Sequence, residues 1–137
     1  STRRQPGPRV RASRPSASKG HTLDDCIFCN IIDGRIPCKK VYEDEEFLAF
    51  HDIHPAAPVH FMVIPKRHIA SLVEVDPGHQ MLLGKMLVLS SKLAVEQGCG
   101  DGWRTVINTG RVGRQEVYHL HMHIIGGKEV LPGMTKR

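Results

Sequence analysis

No apolar stretch in the 137 residues approaches the ~18 of a membrane span, which excludes an integral helical membrane protein. Cysteines number four, and no apolar secretory segment accompanies them. A reducing compartment is expected on this reading, and Cys26-x-x-Cys29 is too closely spaced for a disulfide framework. Acidic residues are missing altogether from residues 1–22, which hold Arg3, Arg4, Arg9, Arg11, Arg14 and Lys19. The remainder carries thirteen basic against fourteen acidic groups, so the formal charge of +5 belongs to this tail. The body therefore gives no electrostatic argument for a nucleic-acid partner. The tail also lacks large apolar residues and contains Pro6, Pro8, Pro15 and four serines, so residues 1–22 are expected to be disordered. An acid-free Arg- and Ser-rich start can be a mitochondrial presequence, but only Val10, Ala12 and Ala17 could form its apolar face. An uncleaved leader or start-site extension on a cytoplasmic protein is the favoured reading.

What is present suits one domain over residues 23–137, with 40% apolar and 24% charged residues and no internal repeat. Asp24 and Asp25 are placed to cap a short helix through Cys26 to Ile32, ended by Gly34. Val41-Tyr42 and Phe47 to Phe50 read as strands around an acidic turn, and Val59 to Ile64 as a third, closed by Pro65. Asp76-Pro77 opens the one long helix, whose apolar residues recur from Leu82 to Ala94 and stop at Gly98. Arg104 to Asn108 and Val117 to Ile125 read as the last strands, separated by a Gly-containing loop. Strands, then a helix, then strands imply an α+β fold, an antiparallel sheet of about five strands with one long and one short helix.

The most informative segment is Tyr118-His119-Leu120-His121-Met122-His123-Ile124-Ile125-Gly126-Gly127. At strand period His119, His121 and His123 share one face, while Leu120, Met122 and Ile124 enter the core. Histidine as the polar half of an amphipathic strand is the bland reading, although Thr, Lys or Glu would serve as well there. Alternate histidines can also present nitrogen ligands to zinc, or an imidazole can act as a covalent nucleophile.

This segment resembles the histidine-triad signature. The resemblance extends through Tyr42-Glu43-Asp44, Ala49-Phe50-His51-Asp52-Ile53, Pro55-x-x-Pro58-x-His60, Val63-Ile64-Pro65-Lys66-x-His68-Ile69, Val106-Ile107-Asn108 and Gln115-Glu116-Val117-Tyr118, in order and spacing, over residues 23–127. Gly126-Gly127 is similar to the Hint branch, the purine nucleoside phosphoramidases, and Glu116 to its bacterial members. The resemblance implies a P–N bond hydrolase that needs no cofactor for catalysis. His121 would be the nucleophile and His123 a hydrogen-bond donor to phosphate. His119 or His60 would hold the His121 tautomer. Asn108, with the loop amides around Gln115 and Glu116, would face the phosphate. Asp52 would bind the ribose, and Ile27, Phe28, Ile31, Ile36 and Ile53 would sandwich the purine.

Three departures stand out. Arg114 replaces a Gly usual in this branch, so the loop either loses a backbone conformation or gains a cation. The end of the chain lacks the Trp-Pro-Pro of animal members. His54 replaces a common Ser and is expected on the surface. The resemblance further implies a homodimer through the long helix and a sheet edge, and the apolar residues from Leu82 to Ala94 cover more than one face. It also implies a structural zinc on Cys26, Cys29, His68 and His119; the competing reading makes the cysteines small apolar residues and His119 an orienting group. A nucleotide-binding adaptor, a dinucleoside polyphosphate hydrolase and a metal-dependent hydrolase on His119, His121 and His123 are the alternatives.

Overall fold

The computed structural model describes residues 25–134; the basic segment 1–22 and Asp24 lie outside them. The chain runs α1 (Ile27–Ile32), β1 (Lys40–Glu43), β2 (Phe47–His51), β3 (Val59–Pro65), α2 (Gln80–Glu96), β4 (Trp103–Val106) and β5 (Met122–Gly126). The five strands form one antiparallel sheet in the order β1-β2-β3-β5-β4, so the α+β reading holds. None of the described helices is long and apolar enough to cross a membrane.

Strand alternation divides the apolar residues between two faces. Phe47, Ala49, Phe61, Val63, Met122 and Ile124 point to the side covered by Met86, Leu93 and Ala94 of α2. Leu48, Phe50, Met62 and Ile64 point the other way and are covered by Cys26, Phe28 and Cys29 at α1. His121 and His123 lie on this second face, because the register pairs Met62 with His123.

Before α2 the chain makes a short 3₁₀ turn, Pro77–His79, held by a capping box. Asp76 Oδ1 accepts from the Gly78 N–H (2.8 Å), and the His79 imidazole accepts from the Asp76 N–H (3.0 Å). Gly98, at φ +97°, follows the helix where Gly was expected to stop it.

Two local expectations are corrected. The α1 cap is Cys26, whose Sγ accepts from the Cys29 N–H (3.3 Å), while Asp25 is an exposed turn residue. The final strand begins at Met122 rather than Val117. Its last partner on β3 is Val63, two residues before Pro65, which has no N–H to continue a ladder. The Leu120 N–H instead donates to the Ile69 carbonyl (2.7 Å). Side-chain alternation nevertheless persists upstream, with Leu120 buried in the α2-side core.

Candidate active site

A cavity of about 410 Å³ opens on the α1 face, lined by Phe28, Asp52, Met62, Asn108, Gly113, Arg114, Glu116, Val117, His121 and His123. The structure thus gathers most of the residues expected to meet a substrate. Asp52 is shared with a second cavity of about 800 Å³, which includes Ile53 and His60. Of the expected purine contacts, Phe28 faces the first cavity and Ile53 the second; Ile27, Ile31 and Ile36 line neither. Met62, Gly113 and Val117 were missed. The His60-x-Met62 alternation could have revealed Met62, since both residues face the same way on β3.

Hydrogen bonds assign the ring protons. The backbone carbonyl of His119 accepts from His121 Nδ1–H (2.8 Å), which leaves His121 Nε2 with a bare lone pair. The Ala56 N–H donates to His60 Nδ1 (2.9 Å), so neutral His60 carries its proton on Nε2. That proton points to His123 Nδ1, 2.9 Å away, with Asp52 Oδ2 farther at 3.4 Å. His123 consequently bears its own proton on Nε2. The tautomer of His121 is therefore set by a main-chain carbonyl, not by the imidazole of His119 or His60, and His60 serves His123 instead.

Neutral rings are favoured. Burial pushes His123 down to about 4, helped by the neighbouring His121 and His60 and opposed by Asp52. Burial likewise lowers His121 and His60. Phe28 sets its edge against His121, with ring centroids 5.1 Å apart, and helps to desolvate it. On the far side, Asp52 Oδ1 accepts from the N–H of exposed His54 (2.8 Å), which fixes the carboxylate beside the triad.

The loop after β4 is built around Gln115. Its buried amide accepts from the Gly110 N–H (2.9 Å) and donates to the Ala70 and Val117 carbonyls (2.8 and 3.0 Å). Its own N–H donates to the Gly110 carbonyl (3.0 Å), so Gln115 braces the loop and does not line the cavity. At Gly113 a Cβ would lie 2.5 Å from the Thr109 carbonyl oxygen, which explains that glycine. Arg114 stands at φ +64°, the one non-glycine at positive φ among the described residues. The substitution keeps the left-handed backbone and also places a cation at the cavity.

Behind the triad lie Cys26, Cys29, His68 and His119, with candidate ligand atoms all within 4.8 Å of one another. The Pro65 carbonyl accepts from His119 Nε2–H (2.7 Å), which leaves His119 Nδ1 bare toward the cluster. That atom is 3.4 Å from Cys26 Sγ, 3.6 Å from Cys29 Sγ and 3.2 Å from His68 Nδ1. Cys29 Sγ is 3.4 Å from His68 Nδ1. Tetrahedral zinc with ordinary bond lengths gives edges of about 3.6 Å for S···N and 3.3 Å for N···N. The donor set fits the metal in both chemistry and spacing. Cys26 is held far below a free thiol, first by the Cys29 thiol and then by His119 and His68, against its burial.

Among the described residues His119, His121 and His123 do not converge as a metal-ligand set, because His119 turns to the cysteine cluster. Asp52, His60 and His123 lie close enough to form a second set. However, His60 Nε2 could bind a metal only as an imidazolate while Nδ1 accepts from Ala56.

Residues 25–137 match the family described as the scavenger mRNA decapping enzyme C-terminal binding domain. Protein HitA of Neisseria gonorrhoeae is 52% identical over 104 residues, covering 76% of this chain and 97% of HitA. A HIT family hydrolase from Legionella pneumophila superposes with TM-score 0.74 at 44% identity, covering 77% of this chain and 95% of that one. A histidine triad protein from Clostridium difficile gives TM-score 0.78 at 44% identity, covering 82% and 98%. With His121 and His123 at one cavity and His119 turned to the cluster behind it, the chain belongs to the histidine-triad superfamily.

Proposed function

We propose that the chain hydrolyses the P–N bond of purine nucleoside 5′-phosphoramidates, as a bacterial-type member of the Hint branch, through a nucleotidyl group carried on His121. The observation that supports this most is the pairing of opposite tautomers: an unprotonated His121 Nε2 beside a His123 that donates from Nε2. One ring can attack phosphorus while its neighbour hydrogen-bonds a phosphoryl oxygen.

The ribose binds at Asp52, and the base lies against Phe28 and Ile53. His121 Nε2 attacks phosphorus and the P–N bond breaks. The departing amine takes its proton from solvent, because a His123 held near 4 is not an imidazolium at neutral pH and acts by hydrogen bonding. The His119 carbonyl stabilises the positive charge that the attacking imidazole acquires. Water then attacks the nucleotidyl-imidazole, releases the nucleotide and a proton, and restores the bare Nε2. Asn108 adds an amide donor at the same cavity.

Turnover of adenosine 5′-phosphoramidate by wild type and His121→Ala tests the reading. Loss of turnover in the variant, with a nucleotidyl group trapped on His121 in wild type, is expected. Wild-type turnover in His121→Ala overturns it. Release of two nucleotides from a dinucleoside polyphosphate in preference to amine release would favour the sister hydrolase, and binding without release an adaptor.

Cys26, Cys29, His68 and His119 are proposed to hold a structural zinc, supported by the near-tetrahedral spacing. Zinc would lock α1 to the segment that carries His119, and hence the carbonyl that orients His121, without meeting substrate. A homodimer through α2 is proposed on Met81, Val88 and Val95, which recur every seven residues and stay exposed.

A further inference from the structure

Arginine in the left-handed region costs about 1 kcal/mol or more that glycine would not pay. Nothing in the loop recovers that cost from the Arg114 side chain. Bracing falls to Gln115, and the tight approach to Thr109 to Gly113. The Arg114 guanidinium holds no hydrogen bond or ion pair among the described residues, and Arg114 is one of the residues lining the cavity of His121 and His123. A strained residue with an unspent fork of donors at a reaction cavity points to a ligand group that meets it.

The sheet order says where that group lies. Asp52 follows β2, whereas Arg114 sits on the β4–β5 connection, and the strands that carry His60 and His123 run between them. A nucleoside held at Asp52 therefore leaves Arg114 on the other side of the reacting phosphorus. In the phosphoramidase reading the phosphoryl oxygens are served by His123 and Asn108, which line the cavity. The carboxylate of Glu116, two residues on, lines the same cavity and disfavours a bare polyanion such as diphosphate, while it can accept an N–H. A departing group that brings both an N–H and one planar anion satisfies both side chains.

We propose that Arg114 is a specificity-determining residue that selects phosphoramidate substrates whose departing amine carries a carboxylate, with Glu116 facing the amine nitrogen. The proposal rests on the phosphoramidase reading. Its test compares two adenosine 5′-phosphoramidates, one of glycine and one of glycinamide, which differ by the carboxylate charge. The ratio of kcat/KM for the two is measured in wild type, Arg114→Gly, Arg114→Asn and Arg114→Lys. Wild type is expected to favour the glycine compound by about tenfold or more. Arg114→Gly and Arg114→Asn, both compatible with the left-handed backbone, should bring the ratio close to one, and Arg114→Lys should retain part of it. The wild-type preference should shrink in 0.5 M NaCl, since the guanidinium is exposed.

A wild-type ratio near one, or a preference that survives in Arg114→Gly and Arg114→Asn, overturns the proposal. So does an equal loss on both compounds, which would assign Arg114 to the phosphoryl group. Calorimetric binding of the same pair to His121→Ala, with and without Arg114→Gly, read beside wild-type turnover, separates the two readings. Absent turnover with a binding preference that needs Arg114 removes the phosphoramidase alone; turnover without preference removes only the assignment of Arg114.

Discussion

Replacing His123 by Gln should flatten the acid side of the stability curve. In the folded protein His123 is pushed from 6.5 down to about 4, chiefly by burial. In the unfolded chain the ring is hydrated and takes a proton near 6.5. Between those values the unfolded chain binds more protons than the folded one, so unfolding becomes easier as pH falls. The contribution is fully present above pH 6.5, is lost progressively below it, and stops changing below about 4. At about 1.36 kcal/mol per pH unit, the interval is worth roughly 3 kcal/mol. Against a typical total of about 5–15 kcal/mol, that is large enough to read by urea denaturation at steps of half a pH unit. Glu43 and Asp44 are held below their ordinary range, so both proteins lose that contribution in acid. His121 and His60 are lowered by burial in both proteins, so the difference between the wild-type and His123→Gln curves reports the His123 ring together with its interaction with those two. That difference should grow in the variant's favour from pH 6.5 to 4. Parallel curves would refute a neutral, desolvated His123 and with it the hydrogen-bonding role assigned to it.

His123→Ala should lower turnover of adenosine 5′-phosphoramidate by about 10²- to 10³-fold, the cost of one transition-state donor, measured by amine release. Chelation should lower Tm and release zinc in a colorimetric assay; well under one zinc per chain in protein purified without chelator would count against the site. Arg114→Gly should raise stability by about 1 kcal/mol through release of backbone strain, and an unchanged or lower denaturation midpoint would contradict the strain argument. Sedimentation at micromolar concentration should show a dimer that Val88→Glu dissociates, and a 15.3 kDa species in wild type would sink it.

The sheet was legible because its strands are apolar runs bounded by turn residues, and the histidines betrayed their shared face by the two-residue period of the last strand. What the alternation could not convey was where the ladder stops, since that depends on Pro65 meeting the end of its partner strand across space. The Cys26 cap was hidden because a thiol is a poor capping acceptor by composition alone, and only the α1 geometry brings it to the Cys29 N–H. Which atom fixes each histidine was likewise illegible: a carbonyl at His119 and an amide at Ala56 are present in every residue, so no side-chain pattern announces them. Gln115 was assigned to the substrate because its position in the loop was visible and its three buried bonds were not.

The meeting of β3 with β5 in the middle of the sheet has a consequence for how the molecule acquires activity. The first three strands form a local meander, and β4 finds β5 without α2 between them, but β3 and β5 must close a chain segment that includes all of α2. That closure is the most costly in chain entropy, and pairings of this range are the slow ones. His60 and His123, 63 positions apart, touch across this same seam. Two halves that are each well folded but undocked would show strand and helix by circular dichroism and yet have no reaction centre. On refolding, regained turnover should trail regained secondary structure, so that catalysis times the docking of the halves.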